Sequence, residues 1–305
     1  MVEKNNLELK NISFSYKKNH FVLNNLNTQF NNGEIIALLG INGSGKTTLF
    51  KILTGIYKSS TGSILYNNKE ITEKNIIDFK GILGFMPEYL QLYKNMTVTN
   101  VLKLLSSLKG YENSNIEDIL KSVYLLEHAN KKVKALSKGM KQRLNLAQAI
   151  IGNPKIILFD EPSNGFDCSS ITMFYKILRN MTNNGAIALL SSHHLTEIYG
   201  NVDKVLILSN GSIIKEICID NLNYDDNFLY KEIYIILDEN TNTDLYNIIN
   251  NQFKELNIKN KNIIYGRVNN KIIIDLITML TKLNLKIKDI KIDNKILEDI
   301  LINLS

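Results

Sequence analysis

The nine residues GINGSGKTT, running from Gly40 to Thr48, constrain this chain more than any other stretch. They follow EIIALL (34–39), a short apolar run with no charge after Glu34, which reads as a strand. They precede LFKILTGI, whose apolar residues recur at helical spacing. Gly40, Gly43 and Gly45 place no Cβ in the way of a tightly curled backbone. The N–H groups of such a loop, from Gly40 through Ile41, Asn42, Gly43, Ser44 and Gly45, turn inward as an anion nest. The helix that begins near Lys46, Thr47 and Thr48 adds the partial positive charge of its N-terminus. The Lys46 ammonium can bridge the β- and γ-phosphates of a nucleotide. The Thr47 hydroxyl suits Mg²⁺, a hard cation that takes oxygen ligands. Residue types, spacing and the strand–loop–helix setting all point to a grip on a nucleoside triphosphate.

The loop by itself says only P-loop NTPase and does not choose among motors, kinases and GTPases. A second element lies downstream. Asp160 and Glu161 close the buried-type strand KIILF. A carboxylate at such a strand end can hold Mg²⁺ directly or through water, and the next one can polarise an attacking water.

Between these two elements lies LSKGMKQR, Leu136 to Arg143, at the start of a helix that Ser137 is placed to cap. This stretch resembles the signature motif of ABC (ATP-binding cassette) ATPases, with Ser137, Gly139 and Gln142 in the matching places. Other matches follow in the family's order, over roughly residues 7–215. Tyr16 sits where the family places an aromatic that stacks on adenine, though it shares a strand face with Phe14 and also fits a core role. Asn164-Gly165-Phe166-Asp167 is similar to the D-loop. Ser192-His193 resembles the switch-histidine motif, and its order selects His193 over His194. His20 and His128 have no such context. The resemblance implies bound ATP and Mg²⁺, with Thr47, Asp160 and Glu88 around the metal. It implies that Glu161 orients water and that His193 senses the γ-phosphate. It further implies that Ser137, Gly139 and Asp167 act across an interface, so that two subunits sandwich the nucleotide.

The sequence departs from the family pattern at three positions. Glu88, in FMPEYLQLY, stands where a glutamine is usual, and Gln91 comes three residues late. Lys138 and Met140 replace the usual Gly and Gln of the signature. Glu88 with the following LYKNMTV, the GMKQR stretch and the ending KILEDILINL (295–304) are similar to the branch that serves ABC-2-type exporters.

The chain has 305 residues, enough for a large domain and a small one. The expected architecture is α/β: a P-loop ABC cassette over 1–219 with a helical subdomain near 90–150, then a small α+β domain over 220–305. In that second part the reading is strand 231–237, helix 243–256, strand 262–268, a strand plus helix around 271–283, strand 285–291 and helix 295–304. The net charge of +6 comes from lysines spread along a chain also rich in Asn and Ile, rather than from a basic stripe, so no nucleic-acid partner is expected. Cys168 and Cys218 form neither a disulfide framework nor a metal motif, which fits a reducing cytoplasm. The start lacks the apolar core of a signal peptide, and no run is long enough to span a bilayer. The expectation is therefore an ATPase subunit, in a homodimer, peripheral on the inner face of the membrane and attached to a separate integral-membrane permease. The rivals are an importer ATPase and a soluble ABC ATPase acting on ribosomes or DNA. One contiguous cassette without sustained heptads speaks against the second of these.

Overall fold

The computed structural model describes residues 6–17, 20–111, 115–192, 198, 200–219, 231–238, 248–249, 251–260, 262–268, 270–283 and 285–293. The chain divides into two compact units, Met1–Ile219 and Asp220–Ser305.

In the first unit, β3 (Ile35–Leu39), β6 (Leu83–Met86), β7 (Ile156–Phe159), β8 (Ile187–Ser192), β9 (Lys204–Ser209) and β10 (Ser212–Cys218) form one sheet, in the order β10-β9-β3-β8-β7-β6. All neighbours pair in parallel except β10 with β9. Every residue of β3, β7 and β8 is buried, the mark of parallel strands covered on both faces. Alternation decides which side chain serves which face. Ile36, Leu38, Ile156, Leu158, Ile187, Leu189, Leu206 and Leu208 pack against Leu49, Phe50, Ile52 and Leu53 of helix α1 (Lys46–Leu53). On the other face, Phe159 meets Phe174 of α6 (Cys168–Asn183) edge-on at 5.0 Å.

The same core takes in Leu7, Leu9, Leu23, Leu26 and Phe30 from an antiparallel sheet. That sheet runs β2-β1-β4-β5, where β1 is Asn6–Lys17, β2 His20–Asn31, β4 Thr61–Tyr66 and β5 Lys69–Glu70. Helix α2 (Ile76–Gly81) leads into β6. The residues expected to build a helical subdomain near 90–150 do not form one continuous helix. They form α3 (Val98–Leu108) and α4 (Ile116–Ser122), with Gly110 at φ +77° beyond the end of α3. Thr97 and Asn115 cap these helices by accepting the N–H groups of Asn100 and Asp118. Helix α5 (Lys138–Ala149) follows and is capped by Ser137.

The second unit holds an antiparallel sheet in the order β12-β13-β11-β14. Its strands are β11 (Lys231–Leu237), β12 (Leu256–Lys259), β13 (Ile263–Val268) and β14 (Ile287–Asp293). Its core gathers Ile233, Ile235, Leu256, Ile264, Leu276 and Leu280. The strand expected just ahead of the helix near 271–283 is absent, because α7 (Asn270–Lys282) takes up the whole run. Ile273, Leu276 and Leu280, spaced by three and four, are its buried residues, so packing overrides the strand preference of the Ile-Ile-Ile run. The helix read at 295–304 lies outside the described residues.

Candidate functional site

The carboxyl ends of four parallel strands define the site, where ligands of open α/β sheets bind. Gly40 follows β3, Pro87-Glu88 follows β6, Asp160-Glu161 follows β7, and Ser191-Ser192 ends β8. The pairings Leu39 with Ser192, Met86 with Phe159 and Phe159 with Leu190 bring these ends level. They open on a cleft of about 550 Å³ lined by Tyr16, Val22, Asn42, Gly43, Gly45, Lys46, Thr47, Thr48, Glu88, Tyr89, Glu161 and Asn164.

The loop has the conformation its glycines allow. Gly43 and Gly45 have φ of +86° and +112°. A Cβ at Gly40 would lie 2.5 Å from both the Leu208 carbonyl oxygen and Ser44 Oγ. Gly45 caps α1 with its backbone alone, so no side chain satisfies the first N–H groups of that helix. The Ser44 hydroxyl is also buried without a hydrogen-bond partner. Open donors at the head of a helix, inside a cleft, are what a phosphate requires.

Lys46 is buried and donates to the carbonyls of Gly40 at 2.6 Å and Ile41 at 3.3 Å. Its ammonium lies 3.7 Å from Glu161 Oε1. Burial pulls the Lys46 pKa below the usual lysine value, against the opposing pull of Glu161, Asp160 and Glu88. Asp160 is buried as well, and that burial raises its carboxyl pKa. Hydrogen bonds from Ser191 and Thr47 oppose the rise. One hydroxyl ties the Asp160 carboxylate to the backbone of Glu161: Ser191 Oγ donates to Asp160 Oδ1 and accepts the N–H of Glu161, both at 2.8 Å. Glu161 has φ +48°, a left-handed conformation of the kind concentrated at functional sites, which costs of order 1–3 kcal/mol.

These residues fit Mg²⁺ and a triphosphate together. Among the described residues, no three of His, Cys, Asp and Glu gather into a self-sufficient metal group. A hydroxyl at Thr47 and a carboxylate at Asp160 instead offer the few protein oxygens that Mg²⁺ takes when phosphates and water complete its shell.

The structure separates Ser137, Gly139 and Asp167 from this cleft. Ser137 accepts the Met140 N–H at 3.2 Å as the N-cap of α5. Gly139 lies against the Gly165 carbonyl, 3.3 Å from where its Cβ would be. Asp167 caps α6, accepting from the Ser170 N–H at 2.8 Å and Ser169 Oγ at 3.0 Å. The hydrogen bonds from Ser170 hold the Asp167 carboxyl down to about 2. Neither Ser137, Gly139 nor Asp167 lines the cleft. His193 lies outside the described residues. Tyr16 is 55% exposed at the cleft edge, and its hydroxyl is 3.1 Å from Thr48 Oγ1. Its ring meets Phe14 and Tyr57 edge-on, so one residue combines an aromatic packing role with a place in the cleft lining.

Sequence reasoning named Gln142 only as a signature residue and missed Asn145 and Gln148, the other two amides of this face of α5. Gln142 donates to the Pro162 carbonyl at 3.2 Å, Asn145 to Pro87 at 2.7 Å and Gln148 to Phe85 at 2.7 Å. Their spacing of three along one helix was the available signal, since buried amides on a packed face need partners. Asn164 was read only as part of the D-loop. It donates from Nδ2 to Glu88 Oε1 at 3.3 Å. The Glu88 carboxylate also raises the pKa of the neighbouring Tyr89 phenol.

A nucleotide loop, a carboxylate pair and a capped signature helix on this sheet define an ATP-binding cassette. The ABC transporter family model matches residues 23–164. The lantibiotic transport ATP-binding protein SrtF of Streptococcus pyogenes is 34% identical over 210 residues, covering 69% of this chain and 90% of the relative. The uncharacterised ABC transporter ATP-binding protein YhcH of Bacillus subtilis is 33% identical over 226 residues, covering 73% of each chain. A solved ATP-binding subunit of an ABC transporter superposes with a TM-score of 0.64 at 28% identity, covering 70% of this chain and 90% of that one. The chain belongs to the ABC transporter ATP-binding family. It is an ATP-binding subunit of a transporter and an ATPase of that class. Among the described residues, no helix is long and apolar enough to cross a membrane.

Proposed function

We propose that this chain powers an ABC-2-type exporter through a separate membrane permease, as one of two identical ATPase subunits that dimerise head to tail. Thr47 and Asp160 hold Mg²⁺ with Glu88 beside them, and the bound ion neutralises charge on the phosphate oxygens. Lys46 and the loop N–H groups grip the phosphates, and Tyr16 stacks on the base. Glu161 orients the attacking water. His193 contacts the γ-phosphate, a role that rests on the family resemblance alone. Ser137, Gly139 and Asp167 act on the nucleotide of the other subunit. The segment from Glu88 to about Thr99 meets the permease at the inner face of the membrane.

The observation that carries this reading is the separation of the two phosphate-directed surfaces. Lys46, Glu88 and Glu161 line one cleft, while Ser137 and Gly139 stand outside it. A site completed by a second copy accounts for both. The relative named for lantibiotic transport supports the export direction and suggests a peptide antibiotic as cargo.

A mixing experiment tests the shared site. Glu161→Gln lowers kcat by ~10²–10⁴ while ATP still binds, the usual loss for a positioned base. Ser137→Arg also silences hydrolysis, and each subunit still binds nucleotide. Mixing the two variants pairs an intact Glu161 with an intact Ser137 at one of two sites, so steady-state hydrolysis returns. A mixture as inactive as its components rules out the shared site. Co-purification with the membrane fraction rather than the ribosome fraction separates this reading from that of a soluble ABC ATPase acting on ribosomes.

A further inference from the structure

We propose that Asn164 is a positioning residue for Glu88, tying that carboxylate to the turn that carries Glu161 so that both face the nucleotide as one unit. This rests on the cleft being the ATP site.

Glu88 and Glu161 come from different strands, yet each is anchored in the same way. The carbonyl of the proline next to each accepts a buried amide of α5: Asn145 bonds to Pro87 and Gln142 to Pro162. One helix thus fixes the backbone beside both carboxylates. Anchoring the backbone does not aim a side chain as long as glutamate. Asn164 does that, because its Nδ2 donates to Glu88 Oε1 at 3.3 Å across 76 residues of sequence. Asn164 is itself set by the Glu161 turn, where its N–H donates to the Glu161 carbonyl at 3.2 Å. Both Glu88 and Asn164 line the cleft.

The donor–acceptor sense of this pair is specific. An amide can donate to a carboxylate, whereas two carboxylates repel. A double-mutant cycle with exchanged partners therefore separates positioning from mere turn formation. Asn164→Asp alone sets two carboxylates against each other and lowers kcat about tenfold or more, the size of losing a hydrogen bond to a charged group. The ATP dissociation constant in EDTA also rises, because another negative charge faces the phosphates. Glu88→Gln combined with Asn164→Asp restores the pair with its polarity reversed. Its kcat is expected within about threefold of Glu88→Gln alone, which makes the cycle strongly non-additive. Thermal unfolding of each variant checks that the fold is kept.

An equal penalty for Asn164→Asp in both backgrounds, in kcat and in ATP affinity alike, overturns the proposal. That result is distinguishable from failure of the ATP-site reading. In the latter case Glu161→Gln also leaves turnover unchanged, whereas an additive cycle beside an inactive Glu161→Gln variant removes only the role of Asn164.

Discussion

Two helices of the first unit begin at sequences suited to phosphate, and they begin differently. Helix α1 starts after Gly45, at φ +112°, with no side chain bonded to its first N–H groups. Helix α5 starts after Ser137, whose hydroxyl already accepts the Met140 N–H at 3.2 Å. The α1 terminus leaves its donors open inside a cleft beside a buried lysine. The α5 terminus is satisfied by its own chain and lies outside that cleft. An open terminus is an anion site as it stands. A capped one needs its serine to turn toward an incoming phosphate, as expected if that phosphate is held by another subunit.

Substitutions at the two caps test this contrast. The largest effect is expected at Gly45→Ala. The new Cβ would lie 2.6 Å from Leu23 Cδ2 and 2.9 Å from the Val22 carbonyl, and alanine strains at φ +112°. A stability loss of about 1–3 kcal/mol, with nucleotide binding lost, follows from that backbone. It is read by thermal unfolding and by titration with labelled ATP. Retained affinity would break the link between the open terminus and the phosphate. A smaller effect is expected at Ser137→Ala, with about 1 kcal/mol lost from the cap. ATP binding by isolated subunits stays at the parental level while hydrolysis falls. Equal loss of binding in both variants would erase the distinction between the termini.

The smallest effect concerns Asp167, the cap of α6. Its folded pKa of about 2 lies below the ordinary value of 3.8. The stability it contributes is therefore fully present above the ordinary value and is lost as pH falls through about 2. Asp167→Ala should lower Tm at pH 7, with the difference from the parent closing as the pH approaches that value. A constant Tm difference down to the acid limit would show that the cap acts without its charge.

How far the sequence could be read depended on whether the responsible residues were neighbours. The buried strands β3, β7 and β8 were legible because contiguous apolar runs can sit only inside a covered sheet. Strand β2 was not. Its buried residues Leu23, Leu26 and Phe30 are spaced by three and four, which mimics a helix. Irregular pairing with β1 causes this, including Asn25 at φ +51°, which breaks the two-residue alternation. Near 271–283 the helix was legible and only the strand read with it was wrong, because Ile-Ile-Ile favours a strand by propensity while its partners reward a helix. Glu88 was visible as a departure from the family pattern, yet nothing near it in sequence names Asn164 or Asn145.

The sequence alone determined the phosphate loop, the carboxylate pair and the cap of α5. Each depends on consecutive residues whose backbone conformations are locally dictated, by glycine, by a strand end or by a serine hydroxyl. The tertiary structure decided what those pieces share. Placing β3 beside β8, β8 beside β7 and β7 beside β6 brings Lys46, Ser191, Asp160, Glu161 and Glu88 to one edge of the sheet. Hydrogen bonds across 30, 31 and 76 residues then lock that edge together. Strand order sets these meetings, and strand order follows from how the whole core buries itself, which no local pattern encodes.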